Sequence, residues 1–482
     1  MALSDSEWRE WLDLEDKDPV ILVEAKYYDG SEKTAYWSDT GYADPFDANA
    51  PDYEPVLQGK IRVREKLQSS VLEAFEVLIY DEAMLDWQFV GHDLEVWLGD
   101  RSWPRADFVK QATEKTANVT SRDEMSLQLS FQDLGDMYFD QLVNGNGLGA
   151  EAGLPFVFGR VFNMAPLKKS DENFVFYTPA IICAVADIRD NGVSVTMHED
   201  SGFNPDGTGD GLEIELVLDS PASGQVTLDI YGPTWATAGP YQGSIGPNIE
   251  FLLSKMNQYI QIPIPLGPTV PLAPKDDIGY VFYQYGTVKQ MLTEFCGSLG
   301  LNPRINSDGE LDLIRVDGAG TPTRVVTDAD FEGPLKLEVV EPPYKQLELG
   351  YQRNWSVQGS NTLAGSLTAA DIRLYSREYR YAKESRSLPA YPFVRNQKLD
   401  TTLYEQTDAE AELTRRWNLR DEERRVYSAT SYGGCIADNI GDTLTLVHPE
   451  YPEFGFSAGR NVVVIGNLKD LSELRSELEY WT

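Results

Sequence analysis

The 482-residue chain is short of cysteine, histidine and positive charge, and each shortage excludes a chemistry. Cysteine occurs only at Cys183, Cys296 and Cys435, far apart and in apolar surroundings. An odd, widely spaced set reads as reduced, buried thiols of a protein made in a cytosol, not as a disulfide framework. No Cys-x-x-Cys or His-Glu-x-x-His spacing exists, so no zinc site is expected. His92, His198 and His448 are the only histidines, and none stands in a setting that would activate a thiol. Lys and Arg total 41 against 77 Asp and Glu, a net charge of −36. Such a chain lacks the basic footprint that displaces counterions from nucleic acid, and the positive charge that docks on anionic membranes. Long apolar runs are also missing. Ala180 to Ala186 and Val462 to Gly466 are strand-sized, well under the roughly 18 residues of a spanning helix. The start, Met-Ala-Leu-Ser-Asp-Ser-Glu-Trp, is acidic where a signal peptide is basic, so no secretory signal is expected.

What is present describes a folded, β-rich chain. Apolar residues make up 42% and aromatics 11%, far above an acidic disordered sequence. The length suggests roughly three domains of about 150 residues each. Ser4 and Glu7 form a capping box ahead of Trp8, Trp11 and Leu12, predicting a short amphipathic helix over 4–15. Strands are expected at Val20 to Tyr28 (closed by Asp29-Gly30), Gly59 to Val63, Val71 to Tyr80, Asp93 to Leu98 and Ser126 to Phe131. Asp44 to Pro55 reads as a loop and Asp133 to Leu142 as a short helical turn. Further strands fall at Phe156 to Phe162, Ala180 to Ile188, Gly192 to Met197, Leu212 to Leu218 and Val226 to Tyr231. Five prolines between Pro263 and Pro274 make 261–276 an extended connector and a domain boundary. Thr287 to Leu299 is the best helix, with a capping box at Thr287 and Gln290, a Val288, Met291, Leu292, Phe295, Leu299 stripe, and Gly300 as its stop. A hairpin follows, from Asn302 to Ile305, through Ser307-Asp308-Gly309, to Leu311 to Val316. The last third predicts strands at Leu335 to Val340, Gln346 to Tyr351 and Arg373 to Tyr381, a helix over Asp408 to Arg424, and closing strands at Leu444 to Val447, Asn461 to Gly466 and Ser476 to Trp481. No short fixed repeat appears, so the pattern is α+β, mainly β.

No motif carries a reaction. Asp200 to Gly211 is acidic and Gly-rich, but a calcium loop begun at Asp206 has Val217 where its bidentate Glu belongs, so it reads as a solvated hairpin loop. Asn144 to Gly149 lacks the Lys of a phosphate loop. With so many carboxylates, some pair always satisfies a glycosidase's demand, and sequence does not discriminate. The Arg373, Tyr375, Arg377, Tyr379, Tyr381 alternation reads as a cross-strand ladder or a subunit contact. Catalytic, cofactor and metal residues are therefore set at none.

Five blocks in order resemble the central baseplate hub, or tail tip, proteins of long-tailed bacteriophages. They are Ile21 to Tyr28 with Tyr36-Trp37-Ser38-Asp39-Thr40-Gly41-Tyr42 and Tyr53-Glu54-Pro55; Leu85 to Trp103 with Leu94-Glu95-Val96-Trp97-Leu98-Gly99-Asp100; and Leu154 to Pro166, running on through Tyr177 to Ala186 and Asp190-Asn191-Gly192-Val193. The helix and hairpin Thr287 to Val316 come fourth. Leu347 to Trp355, the helix near Ala409, Ile440-Gly441-Asp442-Thr443-Leu444 and a Leu-Glu-Tyr-Trp strand make the fifth. The resemblance implies tail-tube-like β-barrel domains with smaller inserted α/β and β subdomains. The divisions would be 1–152 for the N-terminal helix and first barrel, 153–260 for a small β-rich insert, 261–330 for the connector and helix-hairpin domain, and 331–482 for the second barrel. It implies a non-enzymatic homotrimer at the distal end of the virion tail. Its partners would be distal tail, tape-measure and tail fibre or spike proteins, with DNA passing through but not bound specifically, no cofactor and no membrane anchor. An acidic wall would suit a DNA passage, and helix 4–15 and both barrels would bury surface against other chains. A tail-tip cell-wall or polysaccharide hydrolase and a receptor- or carbohydrate-binding module are the alternatives.

Overall fold

The computed structural model describes residues 3–123, 125–143, 156–168, 175–177, 184–196, 215–231, 249–257, 260–272, 274, 276–282, 286–451 and 455–482. The fold is mainly β, as the sequence implies. Its first sheet has eight strands in the spatial order Glu54–Pro55, Glu32–Ser38, Pro19–Tyr28, Asp93–Asp100, Val109–Asp123, Ser126–Gln132, Phe75–Leu78 and Leu57–Gln58. The two outermost strands are separated in sequence by Val56 alone. One edge pairs in parallel with Glu32–Ser38 and the other antiparallel with Phe75–Leu78, so segment 54–58 draws the sheet into a near-closed barrel. Ile21, Val23 and Ala25 join the cluster of Trp37, Phe89, Leu94, Val96 and Leu98, while Val20 and Leu22 pack on the opposite side against Tyr42, Tyr53 and Phe108. Burial on both faces explains the unbroken apolar run at the start of this strand.

Three features of this barrel depart from the sequence expectations. Val109–Asp123, the longest strand, has no apolar alternation and was not expected; its inward positions include Glu114 and Thr116, both buried. The single strand expected over Val71 to Tyr80 is two strands in different sheets. Ser69–Leu72 ends where the Glu73 N–H donates to the Arg62 carbonyl at 2.9 Å, and Phe75–Leu78 begins in the barrel. Similarly, Gly59, at φ +80°, turns the chain between Leu57–Gln58 and Arg62–Lys66, so the expected Gly59 to Val63 strand straddles a turn.

The hairpin Arg62–Lys66/Ser69–Leu72 leaves its own barrel's sheet. Arg62–Lys66 pairs antiparallel with Arg460–Asp470 near the C-terminus, Lys66 opposite Gly466 and Arg62 opposite Asp470. Val63 and Leu72 nevertheless pack in the first barrel's core. Across the same pairing Lys469 and Glu65, both nearly fully buried, form an ion pair at 3.0 Å.

The receiving sheet runs Arg324–Thr327, Thr443–Val447, Arg460–Asp470, Arg475–Trp481, Arg424–Tyr432 and Lys336–Glu341. Tyr427, Phe456, Val462, Val464, Leu478 and Tyr480 are the centre of its core. Its outermost strands again come from one stretch of chain: Arg324–Thr327 pairs in parallel at one edge, and Lys336–Glu341 antiparallel at the other. The closure of the first barrel is thus repeated, with a link of eight residues, 328–335, in place of one.

A five-stranded sheet, with Val226–Tyr231 central between Ala184–Asp190 and Phe156–Met164, and a helical core complete the fold. Helix α1 (Asp5–Leu12) precedes all of this. Helices α2 (Leu134–Phe139), α3 (Ile249–Met256), α4 (Val288–Leu299) and α6 (Gln406–Leu419) share the helical core with hairpin Leu301–Ile305/Leu311–Arg315 and strand Gln346–Tyr351; α5 (Ala369–Tyr375) lies outside it. Helix α4 follows its expected boundaries: Thr287 Oγ1 accepts from the Gln290 N–H at 3.2 Å, and Gly300, at φ +67°, ends it where a Cβ would meet Arg415. The proline-rich stretch expected to be an extended connector over 261–276 instead turns into a short 3-10 helix at Val270–Leu272 and is packed. Ile264 and Val270 are buried in the helical core, and Pro265 and Gly267 exchange backbone hydrogen bonds with Leu311. Helix α6 stops at Leu419, five residues before the expected Arg424, which opens the next strand.

The strand expected over Arg373 to Tyr381 is not there. Thr368 and Asp371 form a capping box, so Ala369–Tyr375 is α5, and strand begins only at Arg380. The cap overrides a chance polar alternation. The supposed stripe is dispersed: Tyr375 stacks on Phe162, while Tyr381 donates to Asp400 at 2.9 Å.

Candidate assembly surface

Helix α1 starts as expected, with Ser4 and Glu7 in a reciprocal cap, and ends at Leu12, three residues short of the expected 15. Its apolar face is used within this chain rather than against a neighbour. Trp8 stacks on Trp11 at 5.1 Å, Trp11 lies 4.8 Å from Trp103, and the Trp11 indole donates to Asp100 at 2.9 Å. The other flank reaches the second barrel. Arg9 donates to Asp438 at 2.6 Å, and the Gly434 N–H donates to Asp13 at 2.8 Å. Arg324 binds the same fully buried Asp438 carboxylate. The helix bolts the two barrels together through contacts some 400 residues apart in sequence.

A candidate surface for other chains is the strand Lys336–Glu341. It is a terminal strand, and among the described residues no strand pairs with its outer edge. Its residues are exposed on both faces: Leu337 is 44% accessible, Val339 47% and Val340 46%. A register shift between Leu337 and Val339 bulges the strand at Glu338, whose carboxylate accepts from the Ser428 hydroxyl at 2.6 Å. Arg420 holds Glu341 at 3.0 Å, and Pro342-Pro343 ends the strand. Val325, on the opposite terminal strand, is 56% accessible. An edge strand of this length with three exposed aliphatic side chains invites pairing or burial by another chain. Sequence reading found the strand but not its exposure, because Leu-Glu-Val-Val reads as core.

The groups that a catalytic reading needs are in structural settings. Cys296 lies in the core of α4, where burial pushes its thiol far up. Burial likewise lifts Cys435 to about 11, and the Arg324 guanidinium donates to its sulfur at 2.8 Å. Neither thiol hydrogen-bonds a histidine among the described residues. His448 is buried against Phe331 and Tyr451, and His92 lies with its Nδ1 3.9 Å from Glu32. Burial raises several carboxylates, Asp39, Asp276, Asp277 and Asp442 among them, and one pair is shifted furthest. Burial, then the charge of Asp133, raises Glu114 to about 9, and burial raises Asp133 to about 6. Glu114 is only 3% accessible, and the half-buried Asp133 accepts from the Gly135 N–H at 2.7 Å in the cap of α2. Among the described residues no three His, Cys, Asp or Glu are placed to hold a metal. The 200–211 and 144–149 loops, Cys183 and His198 lie outside the described residues.

No protein-family model and no curated protein sequence matches the chain. Solved structures do match over nearly its whole length. A tail protein of Neisseria meningitidis MC58 aligns at 11% identity and TM-score 0.41, covering 96% of this chain and 97% of its own. The 43 kDa tail protein of prophage MuSo2 from Shewanella oneidensis aligns at 9% and 0.39, covering 96% and 98%. A prophage tail protein of Listeria monocytogenes aligns at 8% and 0.40, covering 96% and 94%. The structural neighbours are thus phage tail proteins.

Proposed function

We propose that the chain is a structural protein of the phage virion: the central hub of the tail baseplate or tail tip, closing the distal end of the tail tube and forming part of the DNA-ejection channel. The observation that carries this reading is the repeated barrel. Two sheets are closed by the same device, one parallel and one antiparallel edge supplied by a single stretch of chain. The hairpin 62–72 and helix α1 hold them as one body. Three such chains would present six barrels, which is what a trimer needs in order to continue a sixfold tube, and Lys336–Glu341 would be covered in the assembled ring. Distal tail, tape-measure and fibre or spike proteins are its partners in this reading. The charge fits a passage. Many cations, among them Arg9, Arg62, Arg105 and Arg189, are held by carboxylates, which leaves the acidic surplus of −36 to face solvent or the channel. Phosphates spaced about 1.7 Å apart along a duplex would be repelled by such a wall.

Immunogold labelling of tailed virions carrying the chain tests this. Label confined to the tail end distal to the capsid is expected. Label along the tube or on the capsid, or turnover of peptidoglycan by the purified chain that one carboxylate substitution abolishes, would overturn it.

A further inference from the structure

Helix α1, the first barrel, the hairpin Leu301–Ile305/Leu311–Arg315 and the second barrel meet around a cavity of about 410 Å³. Three of its cations are already engaged. Arg9 is bonded to Asp438, Lys110 to Glu95 at 2.8 Å, and Lys469 to Glu65 at 3.0 Å. Arg304 is the exception. It is 6% accessible, and its Nε and Nη1 are buried with no hydrogen-bond partner. Asp312 stands opposite it in the hairpin register, but among the described residues no carboxylate lies within ion-pair distance of Arg304. The two Asp312 oxygens accept from Thr269 Oγ1 at 2.8 Å and Asn306 Nδ2 at 3.2 Å. A guanidinium does not shed its proton in a protein, so an unpaired one in the interior carries the full cost of desolvation. In a chain with 36 more acids than bases, a buried arginine without an anion is a conspicuous arrangement.

We propose that this cavity is a binding site for hydrogen phosphate, with Arg304 as its principal ligand. The choice of ion follows from the walls, which also carry Asp5, Glu65, Asp312 and Asp442. A fully deprotonated anion such as sulfate meets these carboxylates with no proton to offer. Hydrogen phosphate accepts from Arg304 through its anionic oxygens and donates its own P–OH to a carboxylate. The volume holds the ion together with several waters, each occupying about 30 Å³. Bound there, the ion touches four parts of the fold at once and stabilises their packing by mass action. The site goes beyond the assembly role above and does not depend on it.

Equilibrium dialysis of the full chain against radiolabelled inorganic phosphate is the primary test, with saturation at one ion per chain expected. Thermal unfolding gives the second arm. The midpoint should rise saturably with sodium phosphate and rise less with sodium sulfate at the same ionic strength. Arg304→Gln should fold in phosphate-free buffer and lose the phosphate-dependent rise, while Arg304→Lys should keep part of it. No saturable binding to the wild type, an equal response to sulfate, or a full phosphate response in Arg304→Gln would overturn the proposal. Dialysis of the wild type decides the matter even if the variant does not fold.

Discussion

The two barrels close in the same way but finish differently. In the first, the closing segment is five residues, its link is Val56, and both Val56 and Leu57 are buried in the core. In the second, the link spans 328–335 and the last strand hangs at the margin with Leu337, Val339 and Val340 exposed. The first barrel buries the apolar side chains of its closing segment, and the second leaves those of its last strand exposed at an unpaired edge. The closing segment of one barrel therefore adds to the stability of the chain, and that of the other leaves aliphatic side chains uncovered.

The sharpest way to break this comparison is a matched pair of truncations. Trp37→Ala, fully buried against Phe89, should cost about 3–5 kcal/mol in urea unfolding of the isolated chain. Leu337→Ala should change the same measurement by no more than about 0.5 kcal/mol. If both cost the same, the distinction between a core-forming and a surface-giving barrel is wrong.

The junction between the barrels comes next. Lys469→Met strands the Glu65 carboxylate in the interior and should cost about 3 kcal/mol or more, while the double variant Glu65→Leu/Lys469→Met should recover most of the loss. A double variant as unstable as the single would mean that the hairpin needs the ion pair itself and not only the absence of an orphan charge.

The first barrel should also respond to pH through its inward carboxylates. Glu114 is raised from 4.5 to about 9 and Asp133 from 3.8 to about 6, so the folded chain holds protons that the unfolded chain releases. Stability from these groups is complete below about pH 4 and falls as pH rises, through about 6 for Asp133 and about 9 for Glu114. Glu114→Gln should flatten the fall between pH 6 and 9, read from unfolding midpoints across that range. An unchanged slope would place the titration elsewhere. The most local loss is that of Ser4→Ala, which removes the α1 cap at a cost of about 1 kcal/mol.

How far the sequence foretold this fold depended on whether the signal was local. The α1 cap, the α4 stripe with its Gly300 stop, and the hairpin through Ser307-Asp308-Gly309 are set by neighbours in sequence, and all three form within a residue or two of expectation. Val109–Asp123 was not legible. Its strand identity comes from pairing with Asp93–Asp100 and Ser126–Gln132, and its buried Gln111, Glu114 and Thr116 hide the alternation. The path of hairpin 62–72 into a sheet 400 residues away was equally hidden, because Val63 and Leu72 look like any barrel residues. Arg373 to Tyr381 misled through alternation alone, while the cap at Thr368 five residues upstream went unread. The exposed edge Lys336–Glu341 was legible as a strand and illegible as a surface, since exposure is a property of what the rest of the chain leaves uncovered.

The central claim is that the exposed second-barrel edge assembles three chains into a ring. Light scattering coupled to size exclusion measures it directly, on the wild type and on Val339→Glu. A wild-type mass three times the chain's 54.0 kDa, falling to one chain in the variant with unfolding behaviour unchanged, is the predicted result. A wild type that stays at one chain across all accessible concentrations, or a variant that keeps the full assembled mass, would contradict it.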